Sequence, residues 1–187
     1  MLELVPGEKV TETLLSKEQI ATRIKEMAAE INQNYAGRQV TLVGTLSGAN
    51  IFLADLAREL TVDVQLDFMK VSSYAGTETT GKVTMVLPPT LGVDGRHIII
   101  IEDIIDTGHT ALFLREYFAT QQAASVAMCS LLSKPSRREV PDITCEYLGF
   151  EVDNVFVVGY GLDYNQRYRQ LPFIGVLDLD GQAAKAD

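Results

Sequence analysis

The sequence predicts an α/β fold with a central, mainly parallel sheet flanked by helices. Three observations carry that prediction. His97-Ile98-Ile99-Ile100-Ile101 is a continuous apolar run, which suits a strand buried on both faces. Short β-branched runs alternate with stretches of helical apolar spacing through most of the chain. The composition is ordinary for a globular protein, with 187 residues, 47% apolar and 22% charged. That length fits one domain over residues 1–187, and it can build a core without a disulfide or a structural metal.

The elements follow in order. Ser16-Lys17-Glu18-Gln19 reads as a capping box. Ile20, Ile24, Met27, Ala28 and Ile31 continue at helical spacing, and Gly37 follows soon after, so a helix is expected over about 17–35. Val40 to Thr45 is a short strand, and Ser47-Gly48 breaks it. Phe52, Leu53, Leu56, Ala57 and Leu60 mark one face of a second helix. Val62, Val64, Leu66 and Phe68 alternate towards Val71, as in a half-buried strand. Ser72 to Lys82 is rich in Ser, Thr and Gly and reads as a mobile loop. Val83 to Leu87 is a strand ended by Pro88-Pro89. After the isoleucine run, Ala111, Leu114 and Phe118 mark a third helix. Ser125–Leu132, Ile143–Leu148, Val155–Tyr160 and Ile174–Leu177 read as further strands, and the residues after Gly181 as a frayed tail.

Charge and cysteine usage narrow the function. There are 16 Lys and Arg against 25 Asp and Glu, a net charge of −9. General binding to a nucleic-acid backbone or an anionic membrane needs the opposite sign, so neither partner is expected. The two cysteines, Cys129 and Cys145, form no CxxC pair, and His97 and His109 are the two histidines. No zinc site is predicted, and both thiols read as reduced and structural. The N-terminus lacks a signal-peptide pattern and no apolar run is long enough to span a bilayer, so a cytoplasmic location is expected.

In open α/β sheets ligands bind at the carboxyl ends of the strands. The end of the isoleucine run is the richest of these. Glu102 and Asp103 follow it directly, Asp106 comes three residues later, and Thr107-Gly108-His109-Thr110 leads into a helix. Gly108 permits a turn other residues resist. Free amides and the dipole at the helix start attract an anion, and the threonines add hydroxyls. The loop therefore reads as a phosphate cradle. The two leading carboxylates suit sugar hydroxyls or a magnesium ion.

Ile99 to Thr110 resembles the 5-phosphoribosyl 1-pyrophosphate (PRPP) motif of type I phosphoribosyltransferases, and more narrowly that of the hypoxanthine(-guanine) phosphoribosyltransferases. The resemblance covers roughly residues 10–178. Leu46-Ser47-Gly48 sits where that family has its pyrophosphate loop, and Ser72-Ser73-Tyr74 opens a segment similar to its lid. Leu131 to Pro135 resembles the strand end whose lysine meets the purine. Phe156 to Asn165, followed by Arg169, resembles the base-binding hood. The resemblance implies a core over about 38–160 and a hood built from about 1–15 and 160–180.

It also implies roles. Asp106, Thr107, Gly108, His109 and Thr110 hold the 5′-phosphate, and Glu102 and Asp103 bind the ribose hydroxyls. Asp106 faces purine N7 as the general base. Lys134 donates to purine O6, Phe156 stacks on the base, and Val157 and Asp163 meet its edge. Ser47, Gly48 and Arg169 hold pyrophosphate. Asp163, with Glu102 and Asp103, faces Mg2+, and Ser73 and Tyr74 close the lid. The family commonly has Leu-Lys-Gly in its pyrophosphate loop, so Ser47 removes one positive charge here. His109 reads as an exposed position and Arg137-Arg138 as a solvated turn.

The implied reaction moves 5-phosphoribosyl from PRPP to N9 of hypoxanthine or guanine, in a homodimer or homotetramer. Two alternatives remain at this stage. One is a xanthine- or guanine-preferring enzyme, since all 6-oxopurines share the O6 acceptor. The other is a PRPP-sensing regulator on the same fold, which the acidic charge and lack of a spare domain disfavour.

Overall fold

Ser16 caps the first helix as the sequence pattern requires. In the computed structural model its hydroxyl accepts from the Gln19 amide while the Gln19 side chain accepts from the Ser16 amide, at 2.8 Å for the latter. The structure describes residues 2–5, 7–73, 83–179 and 182–183. Helix α1 runs Lys17–Asn34 and buries Ile20, Ile24, Met27, Ala28 and Ile31 on one face. Before it come strands β1 (Leu2–Val5) and β2 (Glu8–Leu15). After it come β3 (Gln39–Thr45), α2 (Asn50–Glu59), β4 (Asp63–Ser73), β5 (Val83–Leu87) and β6 (His97–Ile105). Helix α3 (His109–Ala119), β7 (Ser125–Ser133), a 3-10 turn (Pro135–Arg137) and β8 (Tyr147–Glu151) follow. Strands β9 (Val157–Val158), β10 (Ile174–Leu179) and β11 (Gln182–Ala183) close the chain.

Six strands form the main sheet in the order β5-β4-β3-β6-β7-β8. All neighbours are parallel except β5, which runs antiparallel to β4. The isoleucine run shows why the sheet is buried on both faces. Ile99 and Ile101 pack with Ile24, Met27, Phe52 and Leu56 under α1 and α2. Ile98 and Ile100 pack with Leu114 and Phe118 under α3. Successive side chains point to opposite faces of a strand, so a strand covered twice needs apolar residues at every position. Parallel pairing also brings the carboxyl ends of β3, β6 and β7 to one edge, with Gly44 opposite Ile101 and Ile101 opposite Cys129.

A second, antiparallel sheet has the order β1-β2-β10-β11, with β9 also on β10. It joins the two ends of the chain, pairing Leu15 with Ile174 and Val10 with Leu177. Val10, Val158, Tyr168, Leu171 and Leu177 form its own core cluster. The sequence reading did not identify β1 and β2 as strands. Residues Thr11, Glu12 and Thr13 of β2 are all exposed, so the period-2 signal is absent, and the strand exists through its partner β10.

Several boundaries differ from expectation. Strand β4 extends to Ser73, pairing Ser72 with Thr84 and Ser73 with Val83, so the segment expected as loop begins as strand. Its remainder, residues 74–82, lies outside the described residues. The strand expected over Ile143–Leu148 is β8, displaced to Tyr147–Glu151, and that over Val155–Tyr160 shortens to Val157–Val158. Gln182–Ala183 pairs with Leu179 and Asp178, where a frayed tail was expected. On β4 the alternation is offset: Leu66 is exposed, whereas Asp67 is buried. Asp67 is satisfied by the Phe68 and Leu91 amides and the Thr90 hydroxyl, which makes its burial tolerable.

Candidate active site

At the carboxyl edge of the main sheet lies a cavity of about 330 Å³. Its walls bring together Ser47 and Gly48 after β3, Glu102 and Asp103 within β6, and Asp106, Thr107, Gly108 and Thr110 after it. Asp163 and Arg169 close the wall from the second sheet's side. These residues are separated by up to 122 positions in sequence, and parallel pairing of β3 with β6 is what unites the first two groups.

Gly108 adopts φ +96°, in the left-handed region, and immediately precedes α3. No side chain caps this helix, so its first amides are left for another acceptor. Thr107 and Thr110 flank them on the cavity wall. Backbone amides and the helix dipole together favour negative charge at such a helix start.

The acid pair is electrostatically tense. Glu102 is 5% exposed, and its Oε2 lies 2.7 Å from the Thr45 hydroxyl. Its Oε1 is buried with no hydrogen-bond partner. Burial, and then the neighbouring Asp103 charge, pushes the Glu102 carboxyl well above the usual range. Burial also pushes Asp103 up, against the Ile104 amide that donates to its Oδ1 at 2.9 Å and the more distant Arg169 charge. Such a pair stands ready for hydroxyl donors or a cation.

Arg169 spans the other side. Its Nη2 lies 2.7 Å from Asp163 Oδ1, and its Nη1 donates to the Gly161 carbonyl at 2.6 Å. Asp163 Oδ2 accepts from the Gln166 amide at 2.8 Å. Among the described residues no three His, Cys, Asp or Glu side chains form a metal cage. The set of Glu102, Asp103 and Asp163 is therefore not a closed metal site. The donors present are hard carboxylate oxygens, one of them orphaned, and these fit an ion that retains water and substrate oxygens.

The remaining sequence candidates among the described residues fall outside this wall. Lys134 directly follows β7 at 4% exposure, and burial lowers its pKa while the Asp106 charge opposes that shift. Phe156 meets Tyr164 edge to face at 5.6 Å, and Val157 is buried in β9 opposite Val176. His109 is not on the cavity wall, and its Nε2 lies 2.9 Å from Glu139 Oε2. Ser73 ends β4, and Tyr74 lies outside the described residues. Arg137 and Arg138 are half-buried and bonded, not a solvated turn.

Known proteins resemble this chain over most of its length. The phosphoribosyl transferase domain model matches residues 10–165. The chain belongs to the phosphoribosyltransferase family. It is 43% identical over 169 residues to the hypoxanthine-guanine phosphoribosyltransferase of Streptococcus thermophilus, covering 90% of this chain and 93% of that protein. With the Bacillus subtilis hypoxanthine-guanine phosphoribosyltransferase the identity is 44% over the same shares. A crystal structure of a Bacillus anthracis hypoxanthine-guanine phosphoribosyltransferase superposes with a TM-score of 0.85 at 39% identity, covering 91% of this chain and 98% of that one. A Staphylococcus aureus hypoxanthine phosphoribosyltransferase gives 0.86 at 39% identity, with 90% and 92% covered. The type I phosphoribosyltransferase fold expected from sequence is the fold observed.

Sequence reading missed Thr45, Val71 and Ala111 on the cavity wall, and named Leu46, Ile104 and Ile105 only as parts of their motifs. Thr45 had a recoverable signal. It is the last residue of β3, and one step beyond the Gly44–Ile101 pairing it faces Glu102. The others contribute backbone or apolar wall, for which no residue type is diagnostic.

Proposed function

We propose that this chain transfers the 5-phosphoribosyl group of PRPP to N9 of hypoxanthine and guanine, giving IMP or GMP and pyrophosphate. The observation that carries this reading is one cavity holding an uncapped helix start beside an acid pair and an arginine. Those three features suit the 5′-phosphate, the ribose hydroxyls and the pyrophosphate of one substrate. The high similarity to proteins named hypoxanthine-guanine phosphoribosyltransferase supports the choice of purine.

In the reaction the bond from the anomeric carbon to pyrophosphate oxygen breaks and the bond to N9 forms. Positive charge builds on the ribose as the leaving group departs. Residues Asp106 to Thr110 would anchor the phosphate end through amides and hydroxyls. Glu102 and Asp103 would accept from the ribose hydroxyls, which supplies the partner that Glu102 Oε1 lacks. Ser47, Gly48 and Arg169 would receive pyrophosphate. Asp106 would take the purine N7 proton. Lys134, its ammonium partly desolvated, would donate to O6 and so favour a 6-oxopurine over adenine. Phe156 and Val157 would bound the base from the second sheet, which serves as the hood. Mg2+, held by Asp163 or the Glu102–Asp103 pair with water, would offset the charge of PRPP. Ser73 and Tyr74 would belong to a lid that excludes water. Assembly as a homodimer or homotetramer and a cytoplasmic location are part of the same reading. Among the described residues no helix is long and apolar enough to cross a membrane.

The test is a spectrophotometric assay with PRPP and each of hypoxanthine, guanine, xanthine and adenine, with magnesium and with EDTA. Magnesium-dependent turnover of hypoxanthine and guanine, with adenine inert, is expected. Absence of turnover with every base would overturn the reading, and preferential turnover of xanthine would reassign the substrate.

A further inference from the structure

We propose that Arg137 is a positioning residue for Asp106, fixing which carboxylate oxygen is presented to the purine. The proposal rests on the reading of Asp106 as proton acceptor. Arg137 Nε approaches Asp106 Oδ1 at 3.4 Å. Both side chains are only partly exposed, 24% and 36% respectively, so the pair is less screened than a surface ion pair. A guanidinium is charged at every accessible pH and holds its donors in a rigid plane. With Oδ1 occupied, Oδ2 is the oxygen left for a substrate proton.

The backbone around the pair is pinned from the same direction. The Ile105 carbonyl accepts from the Lys134 amide at 3.0 Å. The Thr107 carbonyl accepts from the Glu139 and Val140 amides at 2.9 and 3.1 Å. Asp106 is therefore flanked by two carbonyls that the 134–140 segment holds, and Arg137 is the side chain of that segment that reaches it. Arg138 braces the loop from behind. Its Nη2 donates to the Ser133 hydroxyl at 2.8 Å, and its Cδ would lie 3.1 Å from a Cβ on Gly108. One short segment thus carries the purine lysine and orients the proton acceptor, so base binding and proton removal share a frame. The electrostatics agree, since Asp106 and Arg137 act on the Lys134 ammonium with opposite signs.

The experiment compares the parent with Arg137→Gln, Arg137→Lys and Asp106→Asn. Single-turnover rates at saturating PRPP and hypoxanthine are measured, together with both KM values and the melting temperature. Arg137→Gln is expected to lower the single-turnover rate about tenfold while both KM values stay within about threefold, the signature of lost orientation. Arg137→Lys is expected to recover part of that rate, and it keeps the test intact if the glutamine variant melts below the assay temperature. Asp106→Asn is expected to cost about a hundredfold or more. A near-parent rate for Asp106→Asn would overturn the proton-acceptor reading and this proposal with it. A slow Asp106→Asn beside a normal Arg137→Gln would overturn this proposal alone. So would a raised KM for PRPP with an unchanged single-turnover rate, since Arg137 would then act in binding.

Discussion

A Cβ placed on Gly48 would fall 1.6 Å from Asp103 Oδ2, well inside any allowed contact. The turn after β3 and the acid pair of β6 thus meet closely, and any larger residue at 48 requires the Asp103 side chain to move. Gly48→Ala is predicted to displace Asp103 and to reduce kcat/KM for PRPP by about a hundredfold, because a shift of about 1 Å in a reacting constellation has that cost. Steady-state kinetics with PRPP varied at saturating hypoxanthine reads it. A parent-like kcat/KM would show that Asp103 has no role in PRPP use.

The loop that bears Asp163 is clamped to the same turn. A Cβ on Gly161, whose φ is +101°, would lie 2.1 Å from the Gly48 carbonyl. Next to it, the buried Tyr160 hydroxyl donates to the Asp55 carboxylate on α2, the helix that begins after the Ser47-Gly48 turn. Burial and that carboxylate push the Tyr160 phenol well up, so it stays a donor throughout the working range. Tyr160→Phe removes one hydrogen bond to a charged group, about 1.5–3 kcal/mol. For a chain of this size the expected fall in Tm is about 3–12 °C, from about 2–4 °C per kcal/mol. Differential scanning calorimetry measures it, and an unchanged Tm would mean the bond carries no net energy.

Legibility in the sequence followed the range of the interaction. Ser16 and Gln19 are three residues apart, and their capping box was readable because both halves lie in one helical turn. The isoleucine run announced a doubly covered strand for the same local reason. Strand β2 was illegible because its partner β10 lies more than 150 residues away and its exposed Thr11, Glu12 and Thr13 carry no alternation. At the cavity, the stretch from Glu102 to Thr110 was legible as chemistry because its residues are consecutive. Thr45, Arg137 and the glycine-to-carboxylate contact depend on strand register, which composition does not encode. Arg137-Arg138 looked like a solvated turn because two adjacent cations usually are one. Hydrogen bonds from their segment to Ile105, Asp106 and Thr107 reversed that reading.

Lys134 offers a trade between stability and function. Burial lowers its pKa in the folded state, so below that pKa the folded protein carries a charge it holds at a cost. The unfolded chain binds this proton more tightly, so the cost shrinks as pH rises and vanishes above the unfolded value of about 10.4. Lys134→Met is predicted to raise Tm at pH 7, with the gain over the parent narrowing towards pH 10. On the proposed role of Lys134 at purine O6, the same variant is expected to raise the hypoxanthine KM at least about tenfold through loss of a charged donor. Melting curves at pH 7, 8.5 and 10 with parallel kinetics test both halves. A lower Tm at pH 7 would show that Lys134 is a net stabiliser.

The cysteines give a chemical check on the packing between β7 and the start of β8. Cys129 is fully buried in β7, and Cys145 packs partly buried with its thiol 3.4 Å from the Tyr147 carbonyl. Burial pushes the Cys145 thiol up to about 11 and holds that of Cys129 well above its ordinary value. At pH 8 a thiol with a pKa of about 11 is thiolate in roughly one molecule in a thousand, against about a quarter for an unperturbed cysteine. Since the thiolate is the nucleophile, native protein at pH 8 should alkylate with iodoacetamide at least about a hundredfold more slowly than a free thiol. Denaturation in guanidinium should expose both sites, adding two carbamidomethyl groups by intact mass. Modification of Cys145 in the native protein at the free-thiol rate would show that the residues before β8 open readily, and the tight packing of this edge would have to be abandoned.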